Sequence, residues 1–137
     1  MSGAARMIDT HPRVAGVDTT LHSDTIDVLV EAARASRQCA DACIHEAAPM
    51  ADCISATLDA SDIASATVGI VIRLTRTESS AAAVAACREV LRVCADVCRQ
   101  HGAHLRHCAA CAEVCDRAED MCVQFEAALR SRPSEPA

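Results

Sequence analysis

Cysteines and other small residues recur at alternating spacings of three and four along four segments of this chain. The four sets are Leu29, Ala32, Ser36, Cys39 and Cys43; Cys53, Thr57, Ala60, Ala64 and Thr67; Val84, Cys87, Leu91, Cys94 and Cys98; and Cys108, Cys111, Cys115, Ala118 and Cys122. At about 100° per residue, that rhythm keeps each set on one face of an α-helix. Four such faces can be buried together only around a shared axis, as the a/d seams of a bundle. Within the seams one five-residue unit returns: "CADAC" at Cys39–Cys43, "CADVC" at Cys94–Cys98 and "CAEVC" at Cys111–Cys115. A fourth copy, "ASDIA" at Ala60–Ala64, has lost both cysteines. The acidic residue of each unit (Asp41, Asp96, Glu113, Asp62) falls about 160° to 200° from the seam, toward solvent.

The remaining composition agrees with helices alone. Alanine supplies 29 residues, Phe125 is the single aromatic, and glycine and proline number four each. Alternating β-branched and aromatic residues are missing, so the fold class is all-α. A chain of 137 residues is one domain's worth and can bury a core. Residues 1–18 carry Gly3, Pro12 and Gly16 without periodicity and read as a flexible N-terminal arm. Residues 19–131 read as the bundle, and 132–137 as a short disordered tail. The first helix is expected from about Thr20 to His45, with Thr19 or Thr20 as N-cap. Pro49 suits the first turn of a second helix reaching about Arg76. "TESS", Thr77–Ser80, reads as a turn and cap before a third helix ending near Gly102. The fourth runs from about His104 to Arg130. Long helices with short connections give an antiparallel up-down-up-down four-helix bundle.

That topology fixes which seam positions share a layer. Counting inward at about 5 Å per layer, the outermost holds Cys43, Cys53, Cys98 and Cys108. The next holds Cys39, Thr57, Cys94 and Cys111, and the third Ser36, Ala60, Leu91 and Cys115. Ala32, Ala64, Cys87 and Ala118 follow, then Leu29, Thr67, Val84 and Cys122. Thiols therefore crowd one end, with single cysteines further in. His45, Met50, His101, His104 and His107 lie in the connections at that same end, as an entrance to the interior. His104 and His107 are the best candidates among them, because they immediately precede Cys108.

Charge narrows the function. Nineteen Asp and Glu against 13 Lys and Arg leave a net charge of −6, so no basic stripe exists to neutralise phosphates and nucleic acid is not expected as a partner. The chain start offers no signal-peptide run, and no segment reads as long and uncharged enough for a bilayer. A cytoplasmic address follows, with no membrane partner. In the reducing cytosol, ten cysteines point to metal or redox chemistry rather than disulfides. One buried cysteine would be an inert small hydrophobe. Ten in seam positions make a poor core, because Leu or Ile there would each contribute about 1.5–3 kcal/mol.

Soft thiolates select Cu(I), zinc and iron–sulfur clusters. A CxxxC pair on one helix face can pinch a single Cu(I), and bridging thiolates can hold several, which suits a sulfur-lined tube. Two alternatives stand beside this reading. One is a zinc or iron–sulfur module on Cys43, Cys53, Cys98 and Cys108; the other is a structural bundle that has lost metal binding. Redox or nucleophilic cysteine catalysis needs one exposed, low-pKa thiol beside a base, and no Ser/His/Asp arrangement is present, so no enzyme is expected.

On "CADAC", "MADCISATLDASDIA", "CREVLRVCADVCRQHGAH" and "HCAACAEVCDRAEDMC", residues 30 to 125 resemble the cytosolic copper storage proteins. The resemblance implies a four-helix bundle that stores or buffers Cu(I) ions on inward-facing cysteines, here Cys39, Cys43, Cys53, Cys87, Cys94, Cys98, Cys108, Cys111, Cys115 and Cys122. It implies His and Met residues at the mouth, matched by His104, His107 and Met50, and a homo-oligomer, often a tetramer. Where such proteins usually carry cysteine, this chain has Ser36, Thr57, Ala60, Ala64, Leu91 and Ala118. A reduced capacity is the expectation.

Overall fold

The computed structural model describes residues 3–74 and 77–131. They form five helices: α1 (Gly3–Asp9), α2 (Thr19–Ile44), α3 (Ala51–Val71), α4 (Thr77–Gly102) and α5 (Arg106–Arg130). The four long ones make the expected bundle, and no strand occurs among the described residues. Each long helix packs on two others, in the ring order α2, α3, α4, α5 and back to α2. The seam faces meet on the axis of that ring.

Local chemistry moves several helix ends from their expected positions. The cap of α2 is Asp18 rather than Thr19 or Thr20. Its extended backbone lets the carboxylate accept from the Leu21 backbone N–H at 3.0 Å, which satisfies an otherwise orphaned donor. Pro49 lies outside the first turn of α3, because Met50 is the N-cap. Helix α3 stops at Val71, whose carbonyl accepts from the Nε2–H of buried His22 on α2. The last residues predicted for that helix, Thr75 and Arg76, lie outside the described residues, as does the tail 132–137. "TESS" is the first turn of α4 itself, and α5 begins after Leu105, two residues later than expected.

The N-terminal segment, expected to lack regular structure, holds the short, seven-residue helix α1. Its Ile8 is buried against the core, and α1 packs on α2. One buried apolar side chain in a seven-residue helix gives too little periodicity to read. Helix α3 also differs from expectation: by length and composition it could cross a membrane. It earns that composition as a bundle element, with Cys53, Thr57, Ala60, Ala64 and Thr67 buried toward the axis and α2 and α4 on its flanks.

The seams are chemically divided along their length. At the end where α2 starts and α3 stops, Ile26, Leu29, Val71, Leu74, Val84 and Phe125 fill the core. His22 stacks edge-on against Phe125 there, with ring centres 5.1 Å apart. At the opposite end the core is sulfur and alanine. Outside it, ion pairs join neighbouring helices, among them Arg99 with both oxygens of Asp116 (2.8 and 2.7 Å) and Arg117 with Glu31 (2.7 Å). Exposed pairs of this kind add at most about 1 kcal/mol each. Gly102 closes α4 where a Cβ would meet the Ala109 Cα of α5 at 3.3 Å, so a bare backbone permits the tight approach of the two helices.

Candidate metal centre

All ten cysteines are free and buried. The predicted outermost layer forms: Cys43 Sγ lies 3.5 Å from Cys53 and 3.9 Å from Cys108, and Cys53 lies 3.8 Å from Cys108 and 3.9 Å from Cys98. Each CxxxC pair then carries the network inward. Cys39 is 3.9 Å from Cys43 and 4.0 Å from Cys108, and Cys94 is 4.0 Å from Cys98. Cys115, counted one layer deeper, joins through Cys94 at 3.7 Å. Cys111 lies among them, its sulfur within 4.8 Å of Cys39 and Cys98 in one group and of Cys94 and Cys115 in another. Eight of the sulfurs are thus continuous.

Below Cys115 the continuous sulfur stops. Leu91 and Ala60 lie in Cys115's own layer, and Ala32, Ala64 and Ala118 fill the layer of Cys87; all five are fully buried. Cys87 lies among these alanines and Cys122 one layer further in. They were expected as isolated thiols, but they are close enough to shift each other's titration, while the Thr67 hydroxyl donates to the Ala83 carbonyl at 3.5 Å. Two residues that stand where the resemblance implies cysteine have polar side chains with different roles. Ser36 Oγ lies 3.7 Å from Cys115 and 4.0 Å from Cys111, inside the sulfur network. Thr57 turns its hydroxyl to its own helix, donating to the Cys53 carbonyl at 2.7 Å.

Burial decides the resting charge of these thiols. It pushes Cys43 and Cys53 up from the ordinary value and Cys108 to about 11. Deeper in, the neighbouring thiols Cys115, Cys39, Cys94 and Cys98 draw the pKa of Cys111 down and are themselves held up. In the far pair the proximity of the two thiols lowers Cys87 and raises Cys122.

The connecting loops separate into residues that meet sulfur and residues that do not. His107 Nδ1 lies 3.5 Å from both Cys39 and Cys108, while its Nε2 lies 3.0 Å from Glu46 Oε1. His101 pairs instead with Asp52 (3.1 Å), whose carboxylate that histidine holds below its usual range; Asp52 in turn accepts from the Cys53 N–H at 2.8 Å. This clasp ties the end of α4 to the start of α3. His104 and His45 are exposed, and Met50 is buried as the cap before Cys53. A cleft of about 180 Å³ between α2 and α5, lined in part by Gln38, Cys39, His107 and Cys111, leads to the sulfurs from the side. Glu46 escaped sequence reading, because nothing in "HEAAP" marks it as the partner of a histidine 61 residues away.

A family model described as copper storage protein matches residues 18–127. The chain is similar to the copper storage protein of Streptomyces lividans loaded with 10 copper equivalents, at a TM-score of 0.88 and 31% identity over 91% of this chain and 98% of that one. It is similar also to the Streptomyces lividans cytosolic copper storage protein carrying five coppers (0.79, 32%, 82% and 98%). A histidine-to-alanine variant from the same organism gives 0.81 and 33% over 84% and 99%. No curated protein matches the chain.

Proposed function

The chain belongs to the copper storage protein family, and we propose that it stores or buffers copper as Cu(I) on the thiolates of its core. One observation carries this reading: eight buried sulfurs linked in sequence at 3.5–4.0 Å or grouped within 4.8 Å, with His107 against two of them. Soft sulfur donors in this number favour Cu(I), which two or three thiolates satisfy and which shared thiolates bridge. Each Cu⁺ replaces thiol protons, so the buried sulfur becomes ionised only as its charge is matched.

The ligands in this reading are Cys39, Cys43, Cys53, Cys94, Cys98, Cys108, Cys111 and Cys115, with Cys87 and Cys122 as a separate pair. His107 serves the mouth; exposed His104 offers a first contact for arriving ions, and Met50 adds a thioether at the same end. Six apolar or hydroxyl side chains in seam positions make the capacity smaller than ten cysteines on full seams would give. The role is storage in the cytoplasm, without catalysis. Assembly into a homotetramer rests on the family resemblance.

The test is titration of reduced, metal-free protein with Cu(I) against a competing chelator. Several tightly held ions per chain are expected. Uptake below about two ions, or uptake lost to a modest chelator, would overturn the reading, since a continuous sulfur network of this size has room for more.

A further inference from the structure

Around His107 the sulfur network stops being sulfur alone. Cys39, Cys43, Cys108 and His107 Nδ1 form a four-donor group whose atoms all lie within 4.8 Å of one another. Its three S···S edges are 3.9, 4.0 and 3.9 Å, and two of its N···S edges are 3.5 Å. A regular tetrahedron around zinc, with Zn–S of about 2.3 Å and Zn–N of about 2.0–2.1 Å, has edges of about 3.8 Å and about 3.5–3.6 Å. Five of the six edges thus match such a tetrahedron, and the sixth, from His107 Nδ1 to Cys43, is within 4.8 Å.

The histidine is also prepared as a metal ligand. A carboxylate can only accept, so the 3.0 Å contact with Glu46 places the proton on Nε2 and leaves the Nδ1 lone pair facing Cys39 and Cys108. A carboxylate behind a ligating histidine orients the ring and raises its basicity at divalent sites. Cu(I) is satisfied by thiolates alone, whereas a nitrogen completing three sulfurs to four corners matches a divalent ion of tetrahedral habit.

The geometry points to a divalent-metal site for Zn²⁺ at Cys39, Cys43, Cys108 and His107, oriented by Glu46, at the mouth of the copper-binding interior. On binding, each of the three thiols gives up one proton to solvent and the neutral imidazole gives up none, leaving a Zn–S₃N centre of net charge −1. The cleft between α2 and α5, lined by Cys39 and His107, gives the ion its approach. A zinc ion there occupies three sulfurs that Cu(I) would otherwise use, so the two metals compete at the mouth and not at Cys87 and Cys122.

The site is tested on the full, reduced, metal-free chain by zinc titration against a chromophoric chelator, with Co²⁺ as the spectroscopic stand-in. One Zn²⁺ per chain and a cobalt spectrum of S₃N type are expected. Glu46→Ala should weaken zinc about 10–100-fold, as loss of an outer-sphere partner does. His107→Ala should weaken it at least as much and abolish the S₃N spectrum, while Cys98→Ser should keep that spectrum. Failure to bind zinc, or an S₄ cobalt spectrum lost in Cys98→Ser and kept in His107→Ala, would overturn the proposal. Circular dichroism of each variant checks that it is folded, and Glu46→Ala, outside the core, remains informative if a core variant is not. Cu(I) titration of the same preparation is read separately: copper without zinc sinks only this site, and zinc without copper sinks only the storage reading.

Discussion

A single buried thiol shows how this interior responds to pH. Burial raises Cys108 from the ordinary thiol value of 9.0 to about 11. An acid whose folded pKa is raised holds its proton longer in the native state than in the unfolded chain. Its contribution to stability is complete below pH 9 and is lost as pH rises toward about 11. The reduced apo protein should accordingly melt at progressively lower temperature between about pH 9 and pH 11, which a reducing thermal-denaturation series would measure. Copper affinity should move the opposite way over the same range, because the metal competes with a proton that is leaving anyway. Ser36 makes a related point at one position. Its hydroxyl lies in hydrogen-bond range of two sulfurs, so it maintains the polar continuity of the network without supplying a soft ligand.

At the scale of helices, stability and metal chemistry are assigned to different ends of the same elements. The thiol ends of α2, α4 and α5 bury cysteine and alanine, which give little transfer free energy. The other ends bury Leu29, Val84 and Phe125, with Val71 from α3 and Ile26 beside them. Leu29 is fully buried on α2, four layers from the outermost sulfurs. Leu29→Ala should therefore destabilise the apo protein by about 2–5 kcal/mol, as cavity-forming substitutions do. Denaturant unfolding would read that loss, and the Cu(I) titration endpoint of the folded variant should stay unchanged. A matching fall in copper uptake would show that the two ends are not independent.

The whole molecule divides its sulfur into two compartments. Eight thiols communicate from the mouth to Cys115, and apolar packing by Leu91 and four alanines sets them apart from Cys87 and Cys122. Two thiolates facing each other suit one Cu(I). Replacing both with serine should lower the titration endpoint by about one ion and leave the His107 end loading as before. Serine is close to cysteine in size and shape, so stability should change little. A loss of several ions would mean that copper passes through the apolar packing and that the compartments act as one.

The seams, the bundle and the end at which thiols gather were legible along the chain. A 3.6-residue turn converts spacing into direction, and short loops convert direction into layers; Cys43, Cys53, Cys98 and Cys108 meet for that reason. Helix ends were read less well. Asp18 over Thr19 and Met50 over Pro49 depend on the backbone angle of single residues, to which periodicity is blind. Three features were decided only in tertiary structure. Glu46 turns His107 toward sulfur, Cys87 finds Cys122, and Asp52 draws His101 away from the thiols. Each depends on how far one helix slides and rotates against its neighbour and where a loop side chain then points. Those quantities are set by packing between distant segments, and no single segment's sequence contains them.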